Sequence, residues 1–206
     1  MTRSSAPDRI STVVAHSRLE DGRAICIRAV TPDDEERLRD GIDQLSQQSR
    51  YLRFFSVAPT PPDHVIEKLV AVDGHLHLAW GAILNEHGGD RAIGVVHAIR
   101  SDEDKPRAEF AIGIVDAYHG QGLARMLTAV LLIHCAREGI AALDAQVLAE
   151  NARAISFIKS LGGKRVRTED GVADFSIAVL PGLAAMRASD EPAGLGAVFE
   201  AFTAWL

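Results

Sequence analysis

The chain has 206 residues, enough for one domain with a substantial core. Hydrophobic residues make up 47% and charged residues 24%, as in an ordinary globular protein, and the net charge of −6 speaks against a dedicated nucleic-acid binder. No apolar run reaches the roughly 18 residues of a membrane span, the start MTRSSAPDRIST lacks a signal-peptide core, and two cysteines make neither a disulfide framework nor a zinc set.

Residues 1–21 are polar, with few apolar anchors, and read as a flexible tail. Arg23–Val30 alternates as a strand, with Ile25 and Ile27 on one face, and Cys26 and Cys135 read as buried thiols of a reducing, cytoplasmic setting. Thr31-Pro32-Asp33-Asp34 looks like a helix start, with a Thr cap, an early Pro and acids at the positive end. That helix runs to about Ser46, with Leu38, Ile42 and Leu45 as its apolar stripe. Ser46–Ser56 (SQQSRYLRFFS) is dense in aromatics and arginines. There Phe54 and Phe55 read as core with Arg53 paired to a carboxylate, or the segment walls a cleft. Pro61-Pro62-Asp63 opens a second helix, to about Val70. His75–Leu84 and Arg91–Ile99 read as strands joined by a Gly-Gly hairpin over Asn85–Asp90. His75 and His77 alternate on one strand face with no third ligand nearby, so no metal site is expected.

Ala108–Leu132 is the centre of the pattern. Ala108–Val115 is an apolar strand with one acid, Glu109. Asp116–His119 turns the chain, and Gly120-Gln121-Gly122-Leu123-Ala124 opens an apolar helix without a capping side chain. Such a helix start exposes unpaired N–H groups and a partial positive charge, and the glycines leave room for a phosphate. The loop is therefore a phosphate cradle, or a strand-to-helix turn that needed glycine. Its spacing excludes a P-loop and departs from the dinucleotide-binding pattern. Ala141–Leu148 is a strand, a helix opens at Asn151 and stops at Gly162-Gly163, and strands follow at Lys164–Thr168 and Val172–Leu180. In the extension 182–206, Leu195, Val198, Phe199, Phe202 and Trp205 recur at helical spacing as one apolar face. That face must dock on its own domain or on a second copy, making a homodimer that loss of Pro192–Leu206 would split.

His119-Gly120-Gln121-Gly122-Leu123-Ala124 resembles motif A of the GCN5-related N-acetyltransferases (GNAT), Gln/Arg-x-x-Gly-x-Gly/Ala, with His119 in place of Gln or Arg. Ser46, Ser49, Tyr51, Arg53, Phe54 and Phe55 resemble the Ser-x-x-Ser-x-Tyr-x-Arg-Phe-Phe signature of bacterial protein-lysine acetyltransferases. The element order over residues 22–181, β-α-α-β-β-β-α-β-α-β-β, is similar to theirs. The resemblance implies an α/β (α+β) fold: a mixed, mostly antiparallel sheet of six to seven strands, helices on both faces, and a splay between the fourth and fifth strands.

It also implies acetyl-CoA as co-substrate, no metal, and an acceptor amine, with a protein lysine first and a small-molecule amine as the alternative. The pyrophosphate would rest beside His119 on the amides of Gly120, Gln121, Gly122, Leu123, Ala124 and Arg125. The pantetheine arm would lie along Ile112, Gly113 and Ile114, with a bulge at Gly113, and against Asn151, which equally suits a helix cap. Near pH 7 only about one lysine amine in a few thousand is neutral, so a base helps. Glu109 matches the family's base; an ion pair with Arg107 or Arg53 is its alternative. The tyrosine that many members use to protonate the leaving thiolate falls on Ile158, leaving water, Tyr118 or Ser156. Its loss keeps open a non-catalytic acyl-CoA-binding regulator.

Overall fold

Strands β1 (Val14–Arg18), β2 (Ala24–Ala29), β3 (His77–Glu86), β4 (Gly89–Ile99), β5 (Arg107–Ile114), β6 (Ala142–Leu148), β7 (Lys164–Glu169) and β8 (Val172–Ala178) form one sheet. Their order is β1-β2-β3-β4-β5-β6-β8-β7. All neighbours are antiparallel except β5 and β6, which run parallel. The helices are α1 (Glu35–Asp43), α2 (Gln47–Phe54), α3 (Asp63–Val70), α4 (Leu123–Arg137), α5 (Ala152–Ser160), α6 (Val179–Arg187) and α7 (Leu195–Ala201). The computed structural model describes residues 13–56, 58, 61–86, 89–102, 105–189 and 191–205. None of the described helices is long and apolar enough to cross a membrane.

α4 is apolar nearly all round, and Leu123 and Met126–Cys135 are buried. A helix of that kind belongs inside, and it lies on β3 and β4 with α6 and α7 beside it. α1 and α3 cover the opposite face, over a smaller cluster of Val30, Val70 and Ala79. Cys135 is buried as expected, whereas Cys26 is only half-buried.

The sheet has one strand more than expected. Residues 14–18, read as part of a flexible tail, form β1 in register with β2. Only Ala15 and Ser17 face inward, too little apolar signal to mark a strand. Its anchor is remote: the Ser17 hydroxyl donates to the Gly194 carbonyl at 2.7 Å. The rest of that tail, residues 1–12, lies outside the described residues. Hairpin residues 87 and 88 also lie outside them, but the flanking strands pair as expected.

The first helix is shorter than its pattern. Pro32–Asp34 is a 3₁₀ turn that leads into α1. Asp34 sets this corner: it accepts from both terminal nitrogens of Arg28 (2.7 and 2.6 Å) and from the Thr31 N–H (2.9 Å). Burial pushes its carboxyl up, but those donors outweigh burial and bring the pKa from 3.8 to about 2. A depressed carboxyl stabilises the fold above its unfolded pKa and loses that contribution as pH falls. Unfolding free energy is therefore expected to drop by about 2 kcal/mol between pH 4 and pH 2 through this group. Denaturant titrations of wild type and Asp34→Asn check it: the variant should lack that acid dependence.

β5 follows β4 in register from Glu109 to Ile114, but pairs with β6 only over Arg107–Glu109. Beyond Glu109 the two parallel strands part, which is the expected splay. Gly113 stays in register with Val95, so the bulge expected there is absent; the irregularity lies in the β3–β4 pairing, where Ala82 faces Gly94, Ile83 faces Ala92 and Ile93 of β4 is the extra residue.

The C-terminal segment docks on its own domain. β8 ends at Ala178, two residues earlier than expected, and the chain turns into α6. Leu195, Val198 and Phe202 are at most 2% exposed, and the Phe202 ring meets Trp80 edge-on at 5.2 Å. Of the two dockings open to this apolar face, the structure shows the one within the chain. Burying each such side chain is worth about 2–5 kcal/mol against a total stability of about 5–15 kcal/mol. Removing residues 192–206 is therefore expected to unfold or aggregate the protein, not to split a dimer, as seen by sizing chromatography and circular dichroism.

Candidate active site

A cleft of about 580 Å³ opens where β5 and β6 part. Its walls are β5, the loop after it, the start of α4, β6, α5 and α2. On the β6 side, the main chain of Phe110–Ile114 has no strand partner. Its N–H and C=O groups on that side, apart from Ile114 O, which His119 Nε2 meets, are available to an amide-bearing chain.

The loop reaches α4 through two left-handed glycines, Gly120 (φ +75°) and Gly122 (φ +77°). Among the described residues no acceptor takes the N–H groups of Gly120–Ala124. The Arg125 N–H is engaged, donating to Gly122 O at 3.1 Å. The free amide run is therefore one residue shorter than expected. His119 braces the loop from within: its Nε2 lies 2.9 Å from Ile114 O. Gln121 faces away from the cleft, its O and Oε1 accepting from Glu20 and Asp21 in the β1–β2 turn. Ile112, Gly113, Ile114, His119, Gly120, Gly122, Leu123, Ala124, Arg125, Asn151 and Glu109 all line the cleft. Asn151 also caps α5 by accepting from Ala154 N at 3.1 Å.

Glu109 is exposed at the cleft mouth and makes no ion pair among the described residues. Arg107 is bound bidentately to Asp144 instead. Arg53 is half-buried, lines the cleft and stacks over the Phe54 ring. Burial works against its charge, and the Glu109 carboxylate offsets part of that. Phe55, expected in the core, is 43% exposed at the cleft rim. Ile158 and Tyr118 line the cleft, whereas Ser156 is exposed outside it.

Residues 24–164 match the family model described as "Acetyltransferase (GNAT) domain". The chain belongs to the GNAT acetyltransferase family. It is 28% identical over 164 residues to the acetyltransferase Pat of Mycolicibacterium smegmatis, covering 80% of this chain and 48% of Pat. Acetyltransferase PA5475 of Pseudomonas aeruginosa is 31% identical over 121 residues, 59% of this chain and 64% of that protein. The chain thus spans about half of Pat and just under two thirds of PA5475. The crystal structure of the GNAT domain of S. lividans PAT superposes with a TM-score of 0.74 at 26% identity, over 84% of this chain and 99% of that one.

Three features of this GNAT domain have no local signal in the sequence. Asp116 accepts from Ser46 N, Ser46 Oγ and Ser49 Oγ (3.0, 2.8 and 2.7 Å), pinning α2 to the loop. Burial raises its carboxyl, but those donors prevail and hold it below the ordinary range. The C-terminal segment reaches the glycine loop before α4: Arg125 Nε donates to Glu191 O at 3.1 Å, and Pro192 packs on Gly122. His77 and His97 form a buried pair, with His77 Nε2 3.0 Å from His97 Nδ1. None of these is metal-like: among the described residues no cluster of three His, Cys, Asp or Glu could hold an ion, and His75 pairs with Glu138 at 2.7 Å.

Proposed function

We propose that the chain is an acetyl-CoA-dependent N-acetyltransferase whose acceptor is a primary amine, a protein lysine first, with Glu109 as general base. One observation carries this reading: free amides at Gly120–Ala124, the unpaired edge of β5 and Glu109 converge on one cleft. Amides at the positive end of α4 suit a pyrophosphate. The β5 edge suits the amides of a pantetheine arm, and an N–H near Ile112 or Gly113 would polarise the thioester carbonyl. The amine attacks that carbonyl while Glu109 takes its proton. The thiolate leaves and is protonated by water or Tyr118, since Ile158 offers no proton. The Ser46–Phe55 segment, which resembles the signature of bacterial protein-lysine acetyltransferases and lines the cleft through Ser46, Ser49, Arg53 and Phe55, supports a protein acceptor. Free Cys26 and Cys135 suit a reducing compartment, the cytoplasm.

Calorimetry with acetyl-CoA, followed by thiol release on a panel of lysine peptides, polyamines and amino acids, tests the reading. Saturable binding and turnover on peptides are expected. Turnover confined to a small amine would move the acceptor. Binding without turnover on any amine would favour the regulator, a reading that Ile158 keeps alive. No heat at millimolar ligand would end both.

A further inference from the structure

β3, β4 and β5 present one shared face to α1, α2 and α3. In register, His97 stands opposite Ala79 on one side and Ala111 on the other; Ile99 stands opposite His77 and Glu109. Residues directly opposite, and every second residue along a strand, share a face. His77, His97, Glu109 and Gly113 therefore lie on one side. Arg53 lies over Gly113 there: a Cβ built on that glycine would stand 3.8 Å from Arg53 Nε.

Behind the cleft is a second cavity of about 50 Å³. Arg53, Gly113 and Leu45 line both spaces, and the rest of the second lining is mainly apolar, with Ile42 and Phe54 among it. Its polar lining is Arg53, Arg37, which is paired with Asp34 at 3.2 Å, and His97, which is fully buried.

The state of His97 follows from its neighbours. The Ala71 carbonyl, 3.1 Å from His77 Nδ1, can only accept, so His77 carries its proton on Nδ1. His77 Nε2 is then a lone pair and receives the Nδ1–H of His97. That leaves His97 Nε2 as a bare acceptor, enclosed and without a partner among the described residues. Burial foremost, then the charge of Arg53, holds His97 far below its ordinary pKa, in line with a neutral ring. Arg53 offers only donors, and makes no hydrogen bond or ion pair among the described residues. Buried polar atoms are rarely left unpaired, and a cavity of about 10–15 Å³ already admits one water.

We propose that His97 is a positioning residue: a water in the inner cavity donates to its Nε2 and accepts from Arg53, fixing the guanidinium over Gly113 with its charge toward Glu109. This rests on Glu109 being the base. Fixed there, Arg53 keeps its positive charge on the cleft wall that carries Glu109.

The test uses His97→Phe, His97→Gln and Arg53→Met in the full chain. His97→Phe is expected to lower kcat about tenfold, the scale of one lost charged hydrogen bond, with KM for acetyl-CoA unchanged. His97→Gln, which restores an acceptor, should recover kcat to within about threefold of wild type. Arg53→Met should lower kcat alike, and adding His97→Phe to it should do nothing more. Nitrogen NMR of the imidazoles gives a readout independent of the base. Wild-type His97 should be the Nδ1–H tautomer, and Arg53→Met should move its Nε2 resonance. If Glu109→Gln kept full rate while that resonance still moved, the base assignment would fail and the His97–Arg53 link would stand. An Nε2 signal indifferent to Arg53→Met, or additive losses in the double variant, would overturn the link. Should His97→Phe not fold, the Arg53→Met kinetics and spectra decide alone.

Discussion

Glu109→Gln is expected to lower kcat at pH 7 by about 10²–10⁴-fold, the range that a positioned general base contributes. The substitution keeps the shape of the side chain and removes only its ability to take a proton. Little of the loss can come from unfolding: Glu109 is exposed and makes no ion pair among the described residues, and such surface changes stay within about 0.5 kcal/mol. Acetyl-CoA affinity should stay within about twofold, because Glu109 stands near the start of β5, at the other end of that strand from the loop that carries the amides of Gly120–Ala124. The deficit has a direction in pH. A lysine amine has an ordinary pKa of about 10.4, so each unit of rising pH supplies about ten times more neutral amine. The variant should therefore gain on wild type as pH rises. Thiol-release rates across about pH 6 to 9 measure this. A variant that kept half the wild-type rate throughout would remove Glu109 from the chemistry.

What could be read from the residues and what could not divide along sequence distance. The β5–loop–α4 unit was legible because its signals are local: an apolar run, two glycines where φ is positive, and no side-chain cap. The Ser46–Phe55 signature was visible too, but its meaning needed the fold, since both serines end on Asp116, 70 and 67 residues away. Motif spacing does not show that Arg125 closes a turn onto Gly122 O, which takes its N–H out of the free run. Likewise it does not show that Gln121 turns its polar atoms toward β1–β2. β1 was missed because its holding partner is Gly194, 177 residues on. Val179 and Leu180 continue the apolar run of β8, so the residues alone do not mark where the strand ends and α6 begins. Pro181 lies in the first turn, where the missing N–H has no intrahelical acceptor to lose. The His77–His97 pair spans two strands, and no window along the chain brings those rings together.

Gly122→Ala is expected to destabilise the fold by about 2–5 kcal/mol and to weaken CoA binding at least about tenfold, far more than Gly120→Ala. The two glycines share one conformation, φ +77° and +75°, so the left-handed penalty of about 1–2 kcal/mol applies to both. What differs is the space. A Cβ at Gly120 meets nothing within 4 Å, whereas one at Gly122 would lie 2.4 and 2.6 Å from Pro192 Cβ and Cγ. Pro192 cannot simply step back. Its carbonyl accepts from Leu195 N (2.8 Å), Glu191 O accepts from Arg125 Nε, and Gly194 O accepts from Ser17 Oγ. The added methyl must therefore push the 191–194 segment off the domain or rotate the loop, at the usual overpacking cost of about 1–3 kcal/mol. Either movement swings the N–H groups of Gly120–Ala124 out of convergence, so affinity falls along with stability. Thermal melts and calorimetry on both variants separate the causes. Equal losses at the two glycines would show that backbone conformation alone matters and that Pro192 does not shape the cradle. A loss confined to Gly122 would make the C-terminal segment part of the support of the Gly120–Ala124 loop.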